Sequence, residues 1–401
     1  MPPATHTPPE PAAPGPRPPV GAWGTVSRAA RPVVRELLVN GPSTRTDLAR
    51  VLGLSTGSLT RLTKPLIAAG LVVEGGTVHD RANGRPTRPL DVVAADHHFL
   101  GVKLTSDRLY ATVTDLRARV IAETSEPLDA TTPEAVSARI AWVRERLTTA
   151  DTAPVAAGVT LGGAASPRSD PDAAPRFDAP FLGWVDVELS ERLTRRTGVP
   201  CVVENDVTAL AHAQRWFGAA RGLTDFALLT VGAGIGYALV RHGRMVPADA
   251  VDLREFSHHV LDPGGPMCTE GHRGCLASYL STRSILAAAA HGLRRGVTPE
   301  EVAALARAGD PVCRNVLRPA AWALGAALAT VANLCMVKDF VVAGEGLVLI
   351  AAEEGCVEAG IRDRRHRDHG SLRVTTLAPD FGEWARAAAV TAIRAFVLRE
   401  E

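Results

Sequence analysis

The chain has 401 residues, 46% of them hydrophobic, and a formal net charge of +1 at pH 7. This length exceeds what one hydrophobic core usually organises, so at least two folding units are expected. The six cysteines are too sparse for a disulfide framework, and no apolar run is long enough to span a bilayer. These totals exclude a disulfide-rich or membrane-spanning protein, and we expect a cytoplasmic protein with reduced thiols.

Residues 1–20 are predicted to be a disordered, Pro-rich tail. Pro, Ala and Thr dominate this segment, which carries a single acidic residue, Glu10, and a single arginine, Arg17. Such a composition cannot bury enough surface to offset the entropy lost on ordering. We assign no function to it.

Residues 21–90 are predicted to form a mainly helical, winged helix-turn-helix domain. After a first amphipathic helix, a second one, Arg45–Leu52, is capped by Ser43 or Thr44. A tight glycine turn follows, and Ser55 opens a third helix whose outer face is polar and cationic. This arrangement is typical of DNA-binding proteins that place the last of these helices in the major groove. A short strand then leads into a polar segment, which would be the wing.

The charge of this region indicates a polyanionic partner. Ten Lys and Arg stand against four Asp and Glu between Gly21 and Leu90, inside a nearly neutral chain. Residues at the start of the third helix would contact base edges, and residues next to it would contact phosphates. The arginines of the wing would enter a narrow minor groove. The candidates are Ser55, Thr56, Gly57, Ser58 and Arg61 for bases, Thr44, Arg45 and Lys64 for phosphates, and Arg81, Arg85 and Arg88 for the minor groove. The alternative is a three-helix packing module with a solvated cationic face.

Pro65 lies inside the predicted third helix. A proline there removes a backbone hydrogen bond and bends or ends the helix. We therefore expect the helix to end near Lys64-Pro65, with Leu66–Ala69 as a distorted last turn.

From Phe99 the pattern changes to that of an α/β fold. A meander of three strands precedes a helix, then two buried strands that end at Gly162-Gly163 and at Glu204-Asn205-Asp206; a similar order begins again at Phe226. The predicted elements are strands Phe99–Leu104, Leu109–Thr114, Arg119–Ala122, Val155–Leu161, Cys201–Val203, Phe226–Val231 and Phe340–Ala343, and helices Pro133–Thr148, Thr282–Gly292, Thr298–Ala308, Pro311–Ala332 and Phe381–Leu398.

A glycine loop, a Glu/His pair and a cysteine-containing loop stand close together in the second half of the chain. The strand from Phe226 runs into Gly232–Gly236, where closely spaced glycines let a ligand approach the backbone. Glu255 and His258 are three residues apart, so on a helix both would lie on one face and meet one ligand. Cys268 and Cys275 follow, and two thiols with a nearby imidazole are the usual ligands of a tetrahedral zinc ion.

These residues resemble the ROK family, which contains bacterial sugar-responsive repressors, open reading frames of unknown role and sugar kinases. The features in that family's order and spacing are Asn205-Asp206, Gly232–Gly236, Glu255 with His258, and Cys268 with Gly274-Cys275-Leu276. The resemblance runs from about Trp23 to the C-terminus and is to the branch of N-acetylglucosamine and xylose repressors. It implies that residues 91–401 form a two-lobed, actin-like ATPase (ribonuclease H-like) α/β domain whose C-terminal helix packs back on the first lobe.

The same resemblance bears on catalysis. Sugar kinases of the family open the α/β domain with an Asp, which helps to position the metal and phosphates, followed by paired glycines. Here Lys103 stands where the Asp is expected, and Thr105-Ser106 replace the glycines. Because a cation cannot hold Mg²⁺, we predict that the nucleotide site is dismantled and that the protein is not an enzyme.

The sugar-binding residues of the family are better matched. The resemblance implies that sugar hydroxyls meet an amide, carboxylates, a histidine and one backbone group, which suits adjacent hydroxyls. The matching residues are Gly162, Asn205, Asp206, Glu255 and His258. Ala277 replaces a further glutamate, so we expect an atypical or larger sugar. The alternative is that these polar residues only satisfy one another in a buried network.

The resemblance also implies a structural Zn²⁺ ion held by a His, a Cys-x-Cys pair and a last Cys. His258, Cys268 and Cys275 match, but Glu270 stands in place of the middle Cys. Glutamate can ligate zinc, and His272 is another candidate for the fourth ligand. The alternative is a loop without metal, held by hydrogen bonds. Because His258 also faces the sugar in the family, zinc would couple the two sites.

Together these features predict a DNA-binding transcriptional regulator, a repressor, whose affinity for a double-stranded operator is controlled by a sugar or sugar derivative. We expect a homodimer or a dimer of dimers, in which closure of the lobes moves the reading helices away from their half-sites. Two alternatives remain open: a ROK carbohydrate kinase with an added DNA-binding module, and a ROK regulator that has lost sugar sensing and responds to a protein partner.

Overall fold

The structure, a computed structural model, describes residues 21–79, 86–165, 175–247, 255–366 and 370–399. The predicted tail at residues 1–20 lies outside these ranges. The described residues form two compact units. The first contains the chain up to His98, Asp115–Arg117 and the residues from Ile393 onward, and the second contains Phe99–Thr114 and Ala118–Ala392. The first unit is thus assembled from three stretches of sequence, where the prediction used one.

The first unit contains the predicted helix-turn-helix. Its helices are α1 (Arg31–Asn40), α2 (Arg45–Leu52) and α3 (Thr56–Ala68). The Thr44 side chain caps α2 by accepting a hydrogen bond from the Asp47 N–H (3.2 Å), and Ser55 caps α3 in the same way from Ser58 (3.1 Å). Gly53, in the left-handed region at φ 65°, ends α2. The turn between the two helices is therefore fixed by its own residues.

The prediction that α3 ends near Lys64-Pro65 is wrong, because the helix continues through Pro65 to Ala68. Proline has no N–H to offer the Arg61 carbonyl, but Arg61 and Pro65 both lie on the exposed side, where water can bind that carbonyl. Leu66 is buried on the other side and holds the last turn against the core of the unit. Packing thus outweighs the local effect of the proline.

Four short strands follow α3: β1 (Val72–Glu74), β2 (Val78–His79), β3 (Pro86–Thr87) and β4 (Leu90–Val92). β1 pairs antiparallel with β4, and β2 with β3, so the β2–β3 pair is the predicted wing. Arg88 is exposed next to β3. Arg81 and Arg85 lie outside the described residues.

Two arginines tie the later segments of the first unit to its helical part. The Arg117 guanidinium forms a bidentate ion pair with Asp91 in β4 and also donates to the Leu37 carbonyl of α1 (3.0 Å). Arg399, near the end of the chain, donates to the Gly24 carbonyl (2.9 Å). The compactness of this unit therefore depends on residues far from the helix-turn-helix in sequence.

The second unit contains two five-stranded sheets that share one plan. Their strands are β5 (His98–Leu104), β6 (Arg108–Thr114), β7 (Val120–Pro127), β8 (Pro154–Leu161), β9 (Ala164–Ala165), β10 (Arg176–Ala179), β11 (Trp184–Glu188), β12 (Cys201–Asn205), β13 (Phe226–Val231), β14 (Ile235–Arg241), β15 (Arg244–Met245), β16 (Asp339–Ala343) and β17 (Arg373–Thr376). The orders are β12-β8-β5-β6-β7 and β15-β14-β13-β16-β17, with β9, β10 and β11 in a small separate sheet. Each large sheet joins an antiparallel meander to parallel strands. This repetition confirms the predicted duplicated α/β fold.

Helices cover these sheets. They are α4 (Pro133–Leu147), α5 (Ser190–Thr197), α6 (Asp206–Phe217), α7 (Leu276–Leu280), α8 (Thr282–Leu293), α9 (Pro299–Arg307), α10 (Pro311–Cys335), α11 (Leu347–Ile350), α12 (Glu354–Arg364) and α13 (Gly382–Ile393). Within the described ranges, none of them combines the length and apolar character that crossing a membrane requires.

The terminal helix α13 packs on the first sheet, as the family resemblance implies. At Gly101 in β5 a Cβ atom would lie 2.0 Å from the Ala385 carbonyl oxygen, and at Gly158 in β8 it would lie 1.9 Å from that of Ala388. The backbone of the helix thus rests directly on two strands, and only glycine allows that approach. Alanines on the facing side of α13 complete the contact.

We expect Gly158→Ala to lower the free energy of unfolding, because the new methyl group would force α13 away from the sheet. Overpacking of this kind costs about 1–3 kcal/mol. Urea unfolding measures the loss. Gly296→Ala is the matched control, because no heavy atom lies within 4 Å of its Cβ position. Equal stability of the two variants would contradict the packing described.

Candidate DNA interface and ligand site

The start of α3 presents a connected row of polar side chains. The Ser55 hydroxyl donates to that of Ser58 (3.0 Å), and Arg61 donates to Ser58 from the next turn (3.3 Å). Thr56, Gly57 and Arg61 are exposed, and Ser58 is half-buried. Leu59, Thr63 and Leu66 are buried on the opposite face. The helix therefore has one face for the core and one polar, cationic face available to a partner.

The residues predicted to contact phosphates are placed less uniformly. Lys64 is exposed on α3. Thr44 is already engaged, since its hydroxyl donates to the Asp47 carboxylate (2.8 Å) while it caps α2. Arg45 forms an ion pair with Glu74 of β1, at a site that is about one-third exposed. Of these three side chains, that of Lys64 is the most accessible.

Three predicted sugar-binding residues meet at the carboxyl ends of neighbouring parallel strands. Gly162 follows β8, and Asn205-Asp206 ends β12, with Asn205 in register with Leu161. The Asn205 side-chain oxygen caps α6 by accepting from Val207 N–H (2.9 Å) and Thr208 N–H (3.1 Å). Its nitrogen donates to the Gly163 carbonyl (2.9 Å). Asn205 therefore fixes the two strand ends and retains one amide hydrogen for a ligand.

Asp206 forms a buried ion pair with Lys103 of β5, which the prediction did not include. The Lys103 Nζ atom contacts Asp206 Oδ2 and lies 5.2 Å from the centre of the Trp384 ring. The other Asp206 oxygen accepts a hydrogen bond from the Val207 N–H (2.9 Å). Both residues are more than 90% buried. Lys103 thus stands where the metal-binding Asp is expected, and its ammonium group also pairs with the Asp206 carboxylate.

An exposed aromatic side chain, Phe181, also lies at this place and was missed from the sequence. A Cβ atom built on Gly162 would lie 3.4 Å from Asp206 Oδ2 and 4.0 Å from Phe181 Cε1. Phe181 is 40% exposed and sits in a turn just before the buried Leu182. Its only sequence signal is an aromatic residue in a turn, which does not reveal exposure.

Glu255 is exposed at the start of the described segment 255–366. Its carbonyl accepts a hydrogen bond from the His258 N–H (3.0 Å). The ring of His258 is half-buried and turns toward the cysteine-containing loop. The residues just before Glu255 lie outside the described ranges, so the arrangement of Glu255 and His258 on one helical face stays a prediction.

The predicted zinc ligands converge on one ring nitrogen of His258. Its Nδ1 atom lies 3.7 Å from Cys268 Sγ, 3.8 Å from Cys275 Sγ and 3.0 Å from His272 Nδ1. His272 Nδ1 is in turn 3.7 Å from Cys268 Sγ. Zn–S bonds of about 2.3 Å and Zn–N bonds of about 2.0–2.1 Å require tetrahedral ligand atoms roughly 3.3–3.8 Å apart. The distances from His258 Nδ1 to the two thiols lie in this range, so His258, Cys268 and Cys275 fit three ligands of a zinc ion, whereas the two imidazole nitrogens are closer together than the range requires.

Glu270 approaches the opposite side of the His258 ring. Its Oε2 atom lies 3.4 Å from Nε2, whereas the two cysteines and His272 surround Nδ1. A metal ion bound at Nδ1 would have His272 as its fourth neighbour, with Glu270 in contact with the far nitrogen. Burial raises the pKa of the Cys275 thiol above its usual value, an effect that a bound cation would oppose.

The loop geometry that brings these residues together is set by its backbone. Cys268 N–H donates to the His272 carbonyl (2.8 Å), which closes a tight turn. Gly274 has φ +62°, and a Cβ atom there would lie 1.5 Å from the Asp262 carbonyl oxygen. Glycine is therefore required immediately before Cys275.

We expect Lys103→Met to lower the free energy of unfolding by about 3–5 kcal/mol, because Asp206 would remain buried without its partner. Adding Asp206→Asn should recover much of that loss. Urea unfolding at neutral pH measures both variants. The matched control is Arg50→Met, which removes an exposed ion pair with Asp47 and should cost about 0–1 kcal/mol. A similar small loss for Lys103→Met would show that the buried pair is unimportant for stability.

Comparisons with known proteins agree with this architecture. The sequence model of the ROK family matches residues 99–361, and that of a winged helix-turn-helix DNA-binding domain matches residues 33–73. The chain is 27% identical to the DNA-binding transcriptional repressor Mlc of Escherichia coli over 315 residues, which are 73% of this chain and 75% of the relative. It is also 27% identical to the E. coli DNA-binding transcriptional dual regulator NagC over 340 residues, 79% of this chain and 81% of that protein.

A solved structure described as a ROK family transcriptional regulator, a homologue of E. coli Mlc, has the same fold. It superposes with a TM-score of 0.77 at 23% sequence identity, covering 93% of this chain and 98% of that one. The family match spans more than half of the sequence, from the first strand of the first sheet into α12. The chain therefore belongs to the ROK family and carries a winged helix-turn-helix DNA-binding domain at its N-terminal end.

Proposed function

We propose that this protein is a transcriptional repressor that binds an operator through α3 and the wing and releases it when a sugar or sugar derivative binds the α/β domain. The observation that supports this most directly is the polar, cationic face of α3, capped by Ser55 and backed by a buried apolar face. The same chain carries a sugar-kinase-like α/β domain with carboxylate and amide groups at the ends of parallel strands. DNA binding and ligand binding thus belong to one chain.

In the proposed DNA complex, the first turns of α3 lie in the major groove. Ser55, Ser58 and Arg61 are positioned on the exposed face to reach base edges. Lys64 and Arg88, which are exposed, contact phosphates and the minor groove respectively. To contact a phosphate, Arg45 would first have to leave its ion pair with Glu74.

The proposed repressor is a homodimer or a dimer of dimers. Two reading helices then meet half-sites about 34–36 Å apart, one turn of the DNA helix. A coupling free energy of about 1–3 kcal/mol between sugar binding and operator binding is enough to release the operator. The effector acts by changing the relative position of the two reading helices, so that they no longer match the half-sites.

The proposed sugar site centres on Gly162, Asn205 and Asp206. The Lys103–Asp206 pair offers a cation and an anion side by side, so one sugar hydroxyl can donate to the carboxylate and accept from the ammonium group. Phe181 supplies an apolar surface for the C–H face of the sugar ring. The exposed Glu255 would complete the site, whereas both ring nitrogens of His258 already face the thiols and Glu270 and leave none for the sugar.

We also propose that the protein does not phosphorylate its ligand. The family includes kinases, but here Lys103 pairs with Asp206, and both carboxylate oxygens already accept a hydrogen bond. This arrangement leaves no metal-binding carboxylate at position 103, and the Asp206 carboxylate is neutralised by an ammonium group. A repressor needs only to bind the sugar.

DNA binding to the protein's own upstream region tests the repressor proposal. We expect a specific shift that one member of a panel of glucose, N-acetylglucosamine, xylose and their phosphates abolishes. Arg61→Ala should weaken operator binding about 10- to 100-fold, as expected for loss of a base contact, whereas Arg50→Ala, an exposed arginine on α2, should change it little. Phe181→Ala should leave operator binding intact but require more sugar for release. A specific shift that no sugar alters would refute the sugar-sensing part.

The proposed metal is one structural Zn²⁺ ion held by His258 Nδ1, Cys268, Cys275 and His272 Nδ1. Glu270 orients His258 through its other ring nitrogen, as partners of metal-bound histidines commonly do. When bound, the ion would link the turn after Glu255 to the loop before α7. Zinc binding is therefore expected to stabilise the fold around the sugar site.

Metal analysis of variants distinguishes the two candidates for the fourth ligand. We expect His272→Ala to lose bound zinc nearly as completely as Cys268→Ser. Glu270→Gln, in contrast, should retain one zinc ion per chain with an affinity reduced about 10- to 100-fold at most. Chelation of zinc from the wild type should lower its melting temperature. Zinc loss in Glu270→Gln with retention in His272→Ala would instead assign Glu270 as the ligand.

A further inference from the structure

The ends of a second pair of parallel strands, β13 and β16, carry an unusual carboxylate. β13 and β16 are adjacent and parallel, and both end in glycine-rich turns: Gly232–Gly236 after β13 and Gly344-Glu345-Gly346 after β16. Ligands of α/β sheets commonly bind where neighbouring parallel strands end. A charged side chain that projects from one of these turns therefore affects which ligands can bind at the ends of β13 and β16.

The Glu345 carboxylate lies directly on the glycine turn that follows β13. Its Oε1 atom accepts a hydrogen bond from the Ala233 N–H at 2.7 Å. A Cβ atom built on Gly232 would lie 2.2 Å from Oε1 and 2.4 Å from Oε2 of the same carboxylate. Only glycine at position 232 allows a negatively charged group to approach this closely.

The backbone around Glu345 fixes it in this position. Gly344 has φ +112°, and a Cβ atom there would lie 2.2 Å from the Val231 carbonyl oxygen. The Gly346 N–H donates to that same oxygen at 2.9 Å. Glu345 is thus anchored on both sides by glycines that pack against the end of β13, and its side chain extends over the neighbouring turn.

The chemistry of this contact is that of anion binding by a glycine turn. Backbone N–H groups exposed in such turns bind carboxylate or phosphate oxygens, and hydrogen bonds to an ionised acceptor are stronger than neutral ones. Among the described residues, no Lys or Arg forms an ion pair with Glu345. The backbone of the turn is therefore its main observed partner.

We propose that Glu345 is a built-in anion that occupies the phosphate-accepting turn at Gly232-Ala233 and keeps phosphate-bearing ligands out of it. A phosphate oxygen would need the Ala233 N–H that Glu345 uses and the space over Gly232 that its carboxylate fills. It would also meet an unneutralised negative charge. Access to the turn is thus closed by one side chain, while the turn itself remains able to bind an anion. This inference depends on neither DNA binding nor sugar sensing.

Calorimetric titration of the full-length protein with inorganic tripolyphosphate tests the proposal. We expect Glu345→Ala to bind tripolyphosphate at least about tenfold more tightly than the wild type, as for a gained hydrogen bond to a charged group. Glu345→Gln keeps the size of the side chain and the oxygen that accepts from Ala233, so its affinity should stay well below that of Glu345→Ala. Glu358→Ala removes the same charge from an exposed position on α12 and should behave as the wild type.

Two outcomes would overturn the proposal. Equal affinity of the wild type and Glu345→Ala would show that the carboxylate does not control access. Absence of binding in a Glu345→Ala protein that melts like the wild type would show that the turn is not a phosphate site. Because Glu345→Gln preserves the shape of the side chain, its melting temperature separates loss of the fold from loss of the charge.

Discussion

The direct contact of α13 with the first sheet constrains the strands that carry the candidate sugar-binding residues. Because Gly101 and Gly158 have no side chains, the helix backbone touches β5 and β8 and sets the position of both strands. β5 carries Lys103, whose ammonium group lies over Trp384 of the same helix, and β8 leads into Gly162. A side chain at either glycine would move the helix and, with it, the surroundings of the buried ion pair.

Charges in the two candidate binding regions are neutralised or bound within the chain. Lys103 is paired with Asp206 in a buried setting, and Glu345 is bound by the Ala233 N–H. A neutral polyol can exchange hydrogen bonds with such a pair, whereas a charged ligand must first displace one partner at a considerable cost in free energy. Under both proposals, charged ligands such as nucleotides are disfavoured in these regions.

Much of this architecture could be predicted because its signals are local. The caps at Thr44 and Ser55 and the apolar periods of the strands lie within a few residues of the elements they define. The pairings Lys103–Asp206 and Ala233–Glu345 join residues 103 and 112 positions apart, and no local pattern specifies them. Sequence spacing cannot decide between Glu270 and His272 as fourth zinc ligand, because that choice depends on which nitrogen of the His258 ring faces the cysteines. Pro65 was misjudged because its helix is held by burial of neighbouring side chains.

The first unit joins three separate stretches of the chain, so its contacts form at different times during synthesis. The residues that pack with its N-terminal part include Arg117, bound to Asp91, and Arg399, bound to Gly24. A ribosome exposes the helix-turn-helix early but releases Arg399 only after the second unit has been made. The first unit therefore gains its contact between Arg399 and Gly24 only after the second unit has been made.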